Sequence, residues 1–338
     1  MDTPVEKPKE TPAVTPKFKA SVGPHIRSGE TVEQIMWSVS AALLPAAALS
    51  VYHFGLPALY VMAVSIVSSV GFEAAARRMM GKKSSIGDGS AFLTGLLLGL
   101  NLPAGVPLYL PVAGSLVAII ITKQLFGGLG FNIFNPALIA RAFLLASWPR
   151  LMTTWPVPTE TLGFSSVDVT TSATPLGILK EEGLEKLLSH FTSRYDMYTQ
   201  MLLGHRGGSL GEVSAVALLF GAAYLLYKGY ITWHIPMSFI VTVAGITWLF
   251  GGDPVLATLS GGLVLGAFFM ATDYVTAPQM KRAQILFGVG CGAITVLIRL
   301  KGGYPEGVCY GILLMNCFTP LLDRAFRPIK FGEKKVAA

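Results

Sequence analysis

Ten apolar segments separated by short polar connections limit what this chain can fold into. Their approximate spans are 34–54, 57–76, 89–102, 106–126, 131–148, 211–231, 235–250, 254–272, 283–299 and 306–323. Many approach the roughly 20 apolar residues that a helix needs to cross a bilayer. Only 13% of the 338 residues are charged, against about 25% in a typical soluble domain. The sequence therefore predicts an all-α polytopic membrane protein with about ten transmembrane helices.

Basic residues predict the orientation of the chain in the membrane. Most Lys and Arg lie in the two tails and in the connections after the second and eighth segments. Even numbers of spans separate these regions, so the positive-inside rule places both tails in the cytoplasm. Arg299 and Lys301, in an outer connection, are an exception. The predicted domains are a cytoplasmic tail (1–33), a first transmembrane half (34–148), an outer segment (149–210), a second transmembrane half (211–323) and a basic cytoplasmic tail (324–338).

The two halves contain similar short stretches. Leu93–Gly99 is echoed by Leu259–Gly266, and a Gly-Asp pair precedes each of them, at Asp88 and at Asp253. Five spans in each half would invert one half relative to the other. Inverted repeats place a binding site near the bilayer midplane, and Gly- or Pro-interrupted segments are typical of the broken helices that line such a site.

The outer segment contains a polar motif that runs from Asp168 to Pro175. Thr174 directly precedes Pro175, which predicts a helix with Thr174 as N-cap and proline at the first helical position. The free N–H groups and positive dipole end of a helix start suit an attached or bound phosphate. The alternative is a Ser/Thr-rich loop with an ordinary helix cap.

A second polar stretch, Phe131-Asn132-Ile133-Phe134-Asn135-Pro136, opens the fifth apolar segment. Asparagine is costly in lipid unless it is paired, so both amides should face protein, water or ligand. Aromatic walls beside amide donors and acceptors suit an isoalloxazine ring. The alternative is a kinked helix start, with Asn135 as the cap. Arg141, inside the same segment, predicts either a structural ion pair or a contact with a flavin phosphate or ring edge.

Acidic residues near the segment ends are candidates for cation binding or a proton path, and they are Asp88, Asp253, Asp273, Asp323 and, within the second segment, Glu73. The five histidines and three cysteines have no metal-binding spacing, so no metal site is predicted. Walker, GxGxxG and hydrolase-triad patterns are absent. The net charge of +7 does not indicate nucleic-acid binding, because the basic residues cluster between apolar segments.

Taken together, these stretches resemble the family that contains the D subunits of Rnf complexes, which are ion-translocating ferredoxin:NAD oxidoreductases, and the B subunits of sodium-pumping NADH:quinone reductases. The resemblance runs from Gly23-Pro24-His25 to Asp323. It includes the flavin-attachment pattern Asp-x-x-Ser/Thr-Gly-Ala-Thr, with Ser172 where Gly is usual. The resemblance implies that a flavin transferase joins FMN through its phosphate to Thr174. The signal residues are Asp168, Thr171, Ser172 and Ala173.

The resemblance also implies an architecture and an activity. The fold would be urea-transporter-like, with two inverted five-helix halves around a noncovalent riboflavin, for which the candidate ligands are Asn132, Phe134, Asn135 and Arg141. The partners would be Rnf subunits A, B, C, E and G, and the last of these would exchange electrons with the flavin on Thr174. Electron flow onward to riboflavin would drive Na⁺ or H⁺ past the intramembrane acids. A small-solute transporter or channel and a structural membrane anchor remain as alternatives.

Overall fold

Long apolar helices dominate the computed structural model, which describes residues 29–156, 171–172, 174–189, 191–204, 207–212 and 214–327. The chain divides into two units after Thr31, and the fold below belongs to the unit that begins at Val32. Its helices are α1 (Val32–Phe54), α2 (Leu56–Met79), α3 (Ser90–Leu100), α4 (Tyr109–Leu116), α5 (Pro136–Ser147), α6 (Pro149–Met152), α7 (Pro175–Glu181), α8 (Leu184–Ser189), α9 (Arg194–Leu203), α10 (Ala215–Lys228), α11 (His234–Leu249), α12 (Pro254–Leu259), α13 (Leu263–Leu265), α14 (Lys281–Lys301) and α15 (Val308–Ala325). π-Helices continue α4 at Val117–Gln124 and α13 at Gly266–Met270.

Each of the ten predicted apolar segments contains at least one helix. In the described part of the chain, α1, α2 and α14 are long and apolar enough to cross a membrane. Shorter apolar helices include α3, α4 with its π-helix, α5, α10 and α11. The prediction of a helical, multi-pass membrane protein is therefore confirmed, while the inverted arrangement of two five-helix halves stays a prediction.

Glycines allow close approach at two of the helix contacts. A β-carbon on Gly95 of α3 would lie 2.7 Å from the Ser65 carbonyl oxygen of α2, and one on Gly292 of α14 would lie 2.7 Å from Thr242 Cβ of α11. Ser65 Oγ also donates to the Gly95 carbonyl at 2.8 Å. Within lipid the hydrophobic effect does not drive helices together, and small residues let two helix backbones approach closely enough for van der Waals packing. These glycines therefore allow the close packing of both helix pairs.

The eighth apolar segment is a broken helix. It ends as α12 at Leu259 and resumes as α13 after Gly261 and Gly262, whose φ angles are +68° and +65°. Only glycine adopts two such left-handed conformations in succession without strain. The carbonyls left free by the break need hydrogen-bond donors. Arg299 of α14 supplies them, donating to the Ala257 and Ser260 oxygens at 2.6 and 2.9 Å.

The paired Gly-Asp stretches both place a carboxylate at a helix start, although Asp88 ends a 3-10 turn just before the N-cap Gly89, whereas Asp253 is itself the N-cap. Asp88 Oδ1 accepts from the Ser90 N–H at 2.8 Å where α3 begins. Asp253 Oδ1 accepts from the Val255 N–H at 2.9 Å where α12 begins. Each carboxylate thus satisfies a free donor at a helix start, and the sequence likeness corresponds to a shared capping role.

The outer segment adds a small element of sheet to a fold predicted as all-α. Strands β1 (Trp155–Pro156) and β2 (Thr171–Ser172) pair antiparallel, with Trp155 opposite Ser172. The chain between them includes Asp168 and lies outside the described residues, as do Ala173 and most of both tails. Beyond β2, helices α7 to α9 surround a small apolar cluster that includes Leu187, Met197 and Leu256.

Candidate functional site

The predicted N-cap at Thr174 is confirmed. Its Oγ1 accepts a hydrogen bond from the Gly177 N–H at 3.1 Å, and Pro175 takes the first helical position. Thr174 is buried, in a small pocket whose lining also includes Glu212, Ser260, Gly261 and Glu306. Two carboxylates, those of Glu212 and Glu306, therefore share the lining of this pocket with Thr174.

The remaining motif residues stay predictions. Asp168 and Ala173 lie outside the described residues, and so do the side chains of Thr171 and Ser172, whose backbone forms β2. The structure therefore describes one side chain of the predicted attachment signal, that of Thr174.

Beside the Thr174 pocket lies an arginine–glutamate cluster of Arg141, Glu212, Arg299 and Glu306. Arg141 donates to Asn101 Oδ1 at 2.7 Å and forms a hydrogen-bonded ion pair with Glu306. Glu212 is buried and acts electrostatically on both arginines. Arg141 therefore has the ion pair that was one of its two predicted roles, and its contact with a flavin stays a prediction.

A larger cavity lies among helices from both halves of the chain. The predicted residues Asn132, Asn135 and Asp273 meet there. The polar lining includes Ser90, Thr94, Lys123, Asn132, Asn135, Thr272 and Asp273, and the apolar lining includes Ile35, Val39, Leu97, Phe268 and Phe269. A few convergent polar groups in an apolar enclosure are the usual make-up of a cofactor site.

The aromatic walls of this cavity are not the predicted ones. Phe131 is 70% exposed, and Phe134 is a half-buried side chain packed against the core rather than a lining residue. The inward positions of this stretch are taken by Asn132 and Asn135, which are both buried. Phe268, from the second π-helix, is one of the residues that provide the wall instead.

Asn135 caps a helix and also joins distant parts of the chain. Its Oδ1 accepts from the Ala137 and Leu138 N–H groups at 3.0 and 3.4 Å, and its Nδ2 donates to the Met270 carbonyl at 3.3 Å. Asn132 Nδ2 donates to the Phe134 carbonyl at 3.0 Å. The helix-cap alternative is thus correct for Asn135, and the same residue lines the cavity.

Sequence reasoning missed a buried ion pair in the cavity wall. Lys123 Nζ lies 2.7 Å from Glu73 Oε2 and donates to Ser90 Oγ at 2.6 Å. Glu73 Oε1 accepts from Ser85 Oγ at 2.6 Å and from Gln124 Nε2 at 3.2 Å. Glu73, an ion-path candidate by sequence, is therefore matched to a lysine. A signal existed, because Lys123 interrupts an apolar segment just as Arg141 does.

The four candidate acids lie in separate settings. Asp88 and Asp253 cap helix starts, whereas Asp323 Oδ1 accepts from the Gln279 N–H at 2.9 Å in another crevice. Of the four, Asp273 alone lines the cavity. A single path through all four is not what the described residues form, and an ion-path role for each stays a prediction.

Asp253 has an unpredicted partner from the outer segment. The Tyr198 hydroxyl of α9 donates to Asp253 Oδ2. Burial of the phenol, together with this bond to a carboxylate, raises the pKa of Tyr198 to about 12. The contact joins α9 to the start of the broken helix.

The sequence of this chain matches a known protein family over nearly its whole length. A model of the NQR2, RnfD and RnfE family matches residues 19–332, a span that contains both the Thr174 pocket and the cavity. The chain belongs to this family.

Curated relatives are similar over nearly their full length. The D subunit of the proton-translocating ferredoxin:NAD⁺ oxidoreductase complex of Clostridium ljungdahlii is 52% identical, across 94% of this chain and 97% of its own. The D subunit of the Na⁺-translocating complex of Acetobacterium woodii is 47% identical, across 94% and 96%. The D subunit of an ion-translocating oxidoreductase complex of Stutzerimonas stutzeri is 40% identical, across 90% and 93%.

Proposed function

We propose that this chain is the D-type membrane subunit of an Rnf ion-translocating ferredoxin:NAD oxidoreductase complex. Three relatives at 40% to 52% identity are named as the D subunits of such complexes or of ion-translocating oxidoreductases. The proposal includes subunits A, B, C, E and G as partners, a lipid environment, cytoplasmic termini and an outer position for Thr174. Its chemistry rests on the pocket around Thr174, because Thr174 lies there beside the arginine–glutamate cluster.

The first cofactor in this proposal is FMN, attached at Thr174 by a flavin transferase. Flavin supplies the electron-transfer chemistry, while the protein fixes its position and electrostatics. The residues present fit a phosphate ester, since a buried guanidinium nitrogen of Arg299 has no hydrogen-bond partner beside this pocket. Thr174 would hold the phosphate ester, and the arginine–glutamate cluster would set the charge around it.

The second cofactor is a noncovalent riboflavin in the cavity. Phe268 and Phe269 offer apolar walls, and Asn132, Asn135 and Lys123 offer polar groups on the same lining. Aromatic rings bind between such walls while polar side chains set their orientation. In this arrangement the Lys123–Glu73 pair would add a fixed dipole to one wall of the cavity.

The transported ion in this proposal is Na⁺ or H⁺. One relative is named for protons and another for sodium, and both ions are held by carboxylates and amides. Negative charge added inside a low-dielectric region is costly unless a cation compensates it. Asp273 and the two cavity amides are the groups of this chain best placed to hold that cation.

The test is in-gel flavin fluorescence of the denatured full-length chain, co-expressed with a flavin transferase. We expect a fluorescent band for wild type and none for Thr174→Ala. The matched control is Thr154→Ala, an exposed threonine of the same outer segment, which should keep the fluorescence. A dark wild-type band, with the transferase active on a known substrate, would reject covalent FMN and favour a small-solute transporter.

A further inference from the structure

Arg299 is one of the two basic residues, with Lys301, that the positive-inside rule leaves unexplained, and one of its guanidinium nitrogens has no hydrogen-bond partner. Its two terminal nitrogens bind the Ala257 and Ser260 carbonyls of the helix break. Within the described ranges, no carboxylate lies at ion-pair distance from it, and its buried Nε has no hydrogen-bond partner. Buried N–H groups without a partner are rare in native structures and call for an explanation.

The guanidinium lies at the edge of the Thr174 pocket. A β-carbon on Gly261 would lie 2.6 Å from both Arg299 Nη2 and Leu176 Cδ1. Gly261 and Leu176 line the same pocket as Thr174. The guanidinium and the start of α7 therefore both pack closely against this glycine, and a larger residue there would push them apart.

Charge and donor geometry identify the kind of anion that fits. Arg141 is already engaged by Asn101 and Glu306, so Arg299 is the arginine of the cluster with an unused donor. A phosphodiester carries one negative charge and strong acceptor oxygens, and the planar guanidinium suits phosphate better than a lysine ammonium does. An ester on Thr174 would also stand near Glu212 and Glu306, where a nearby cation relieves the repulsion.

We propose that Arg299 binds the phosphodiester that links FMN to Thr174, with Nε–H as the donor that is free in the unmodified chain. The proposal rests on the function proposed above. One guanidinium would then hold the helix break with its terminal nitrogens and the cofactor phosphate with Nε. Arg299 is a phosphate-binding residue in this view, as well as a cap for α12.

A double-mutant cycle separates these two roles. Full-length chains with Thr174 or Thr174→Ala, each with and without Arg299→Gln, are co-expressed with the flavin transferase. Covalent flavin per chain is measured in gels, and unfolding temperature is measured in detergent. We expect Arg299→Gln to lower the unfolding temperature further in the flavin-bearing chain than in the Thr174→Ala chain. Lys301→Gln, which removes an exposed charge from the same helix turn, should have equal effects in both.

Arg299→Lys completes the design, because it keeps the positive charge and removes the planar guanidinium with its several N–H donors. It should retain flavin and show a smaller coupling to Thr174 than arginine does. In a second outcome, Arg299→Gln blocks flavin attachment while Lys301→Gln does not, with the unlabelled Arg299→Gln chain still unfolding cooperatively. That result supports the phosphate role, and the double-mutant cycle is then measured with Arg299→Lys in place of Arg299→Gln. Equal losses in the labelled and unlabelled backgrounds would make Arg299 a helix cap only. A wild-type chain without covalent flavin would overturn this inference together with the FMN proposal.

Discussion

At the scale of single residues, the chain accommodates charge inside an apolar protein by pairing it. Sequence reasoning predicted Asn132, Asn135 and Asp273 as site residues, because polar groups in apolar segments are costly unless they serve a function. It missed that Glu73 pairs with Lys123, which lies 50 positions away. The partner of a buried charge depends on how helices pack, and a single sequence does not reveal that packing.

The Lys123–Glu73 pair gives a prediction at this scale. Lys123→Met leaves an uncompensated carboxylate in a wall where both side chains are at most 2% exposed, so we expect a loss of about 3–5 kcal/mol in the free energy of unfolding. Lys123→Met combined with Glu73→Met removes both charges and should recover most of that loss. Thermal unfolding of the three chains in detergent checks this, and a double variant less stable than Lys123→Met would contradict it.

At the scale of elements, sequence predicted where helices lie better than how they end. Broken helices were expected from Gly- and Pro-interrupted segments, but the break in the eighth segment was not predicted, although Gly261 and Gly262 accept its left-handed geometry. The donor for the freed carbonyls was not predictable, since Arg299 is 39 residues from Ser260. Strands β1 and β2 were also missed, because two residues each are too few to show alternation.

Gly261→Ala tests the helix break. A β-carbon there would meet Arg299 and Leu176 at 2.6 Å, at a φ of +68°, so we expect a loss of about 2 kcal/mol or more in stability. Gly245→Ala is the matched control, because nothing lies within 4 Å of its β-carbon position. It lies inside α11, where alanine is favoured by up to about 1 kcal/mol. Equal unfolding temperatures for the two variants would refute the constraint.

The contact between α9 and α12 predicts a pH dependence. Tyr198→Phe removes the hydrogen bond to Asp253 and should cost about 1 kcal/mol of stability. The pKa of Tyr198 is raised from 10.0 to about 12 in the folded chain, so the contribution is complete below pH 10 and is lost as pH rises through 12. The difference in unfolding temperature between wild type and Tyr198→Phe should therefore shrink across this window. A difference that stays constant would argue against the bond.

At the scale of the whole molecule, the cavity depends on segments far apart in sequence. The ten apolar segments were predicted from run length alone, and all of them contain helices. Phe131 and Phe134 were predicted as aromatic walls because they flank the asparagines, whereas the lining of this cavity includes Phe268 from the other half instead. Residues that are adjacent in sequence can indicate one side of a binding site. The residues that form its other side depend on how the two halves of the chain pack.

The cavity gives a steric prediction at this scale. Leu97 is 5% exposed and lines the cavity, so Leu97→Trp should fill it and lower noncovalent flavin to a small fraction of the wild-type content. Covalent flavin at Thr174 should be unchanged. Leu116→Trp, at a position 41% exposed on α4, is the matched control and should retain both. Flavin released on denaturation, measured beside in-gel fluorescence, reports the two pools, and full release from Leu97→Trp would place the noncovalent flavin elsewhere.

The link from Asn101 through Arg141 to Glu306 has a further consequence. It joins the end of α3, the middle of α5 and the connection before α15 by charged hydrogen bonds within an apolar interior. Breaking such bonds is expensive in this medium, so the link acts as a stiff strut between the Thr174 pocket and the helices that surround the cavity. Electron tunnelling slows exponentially with distance, so under the function proposed above this link would help to keep the two proposed flavins at a constant separation while other parts of the protein move.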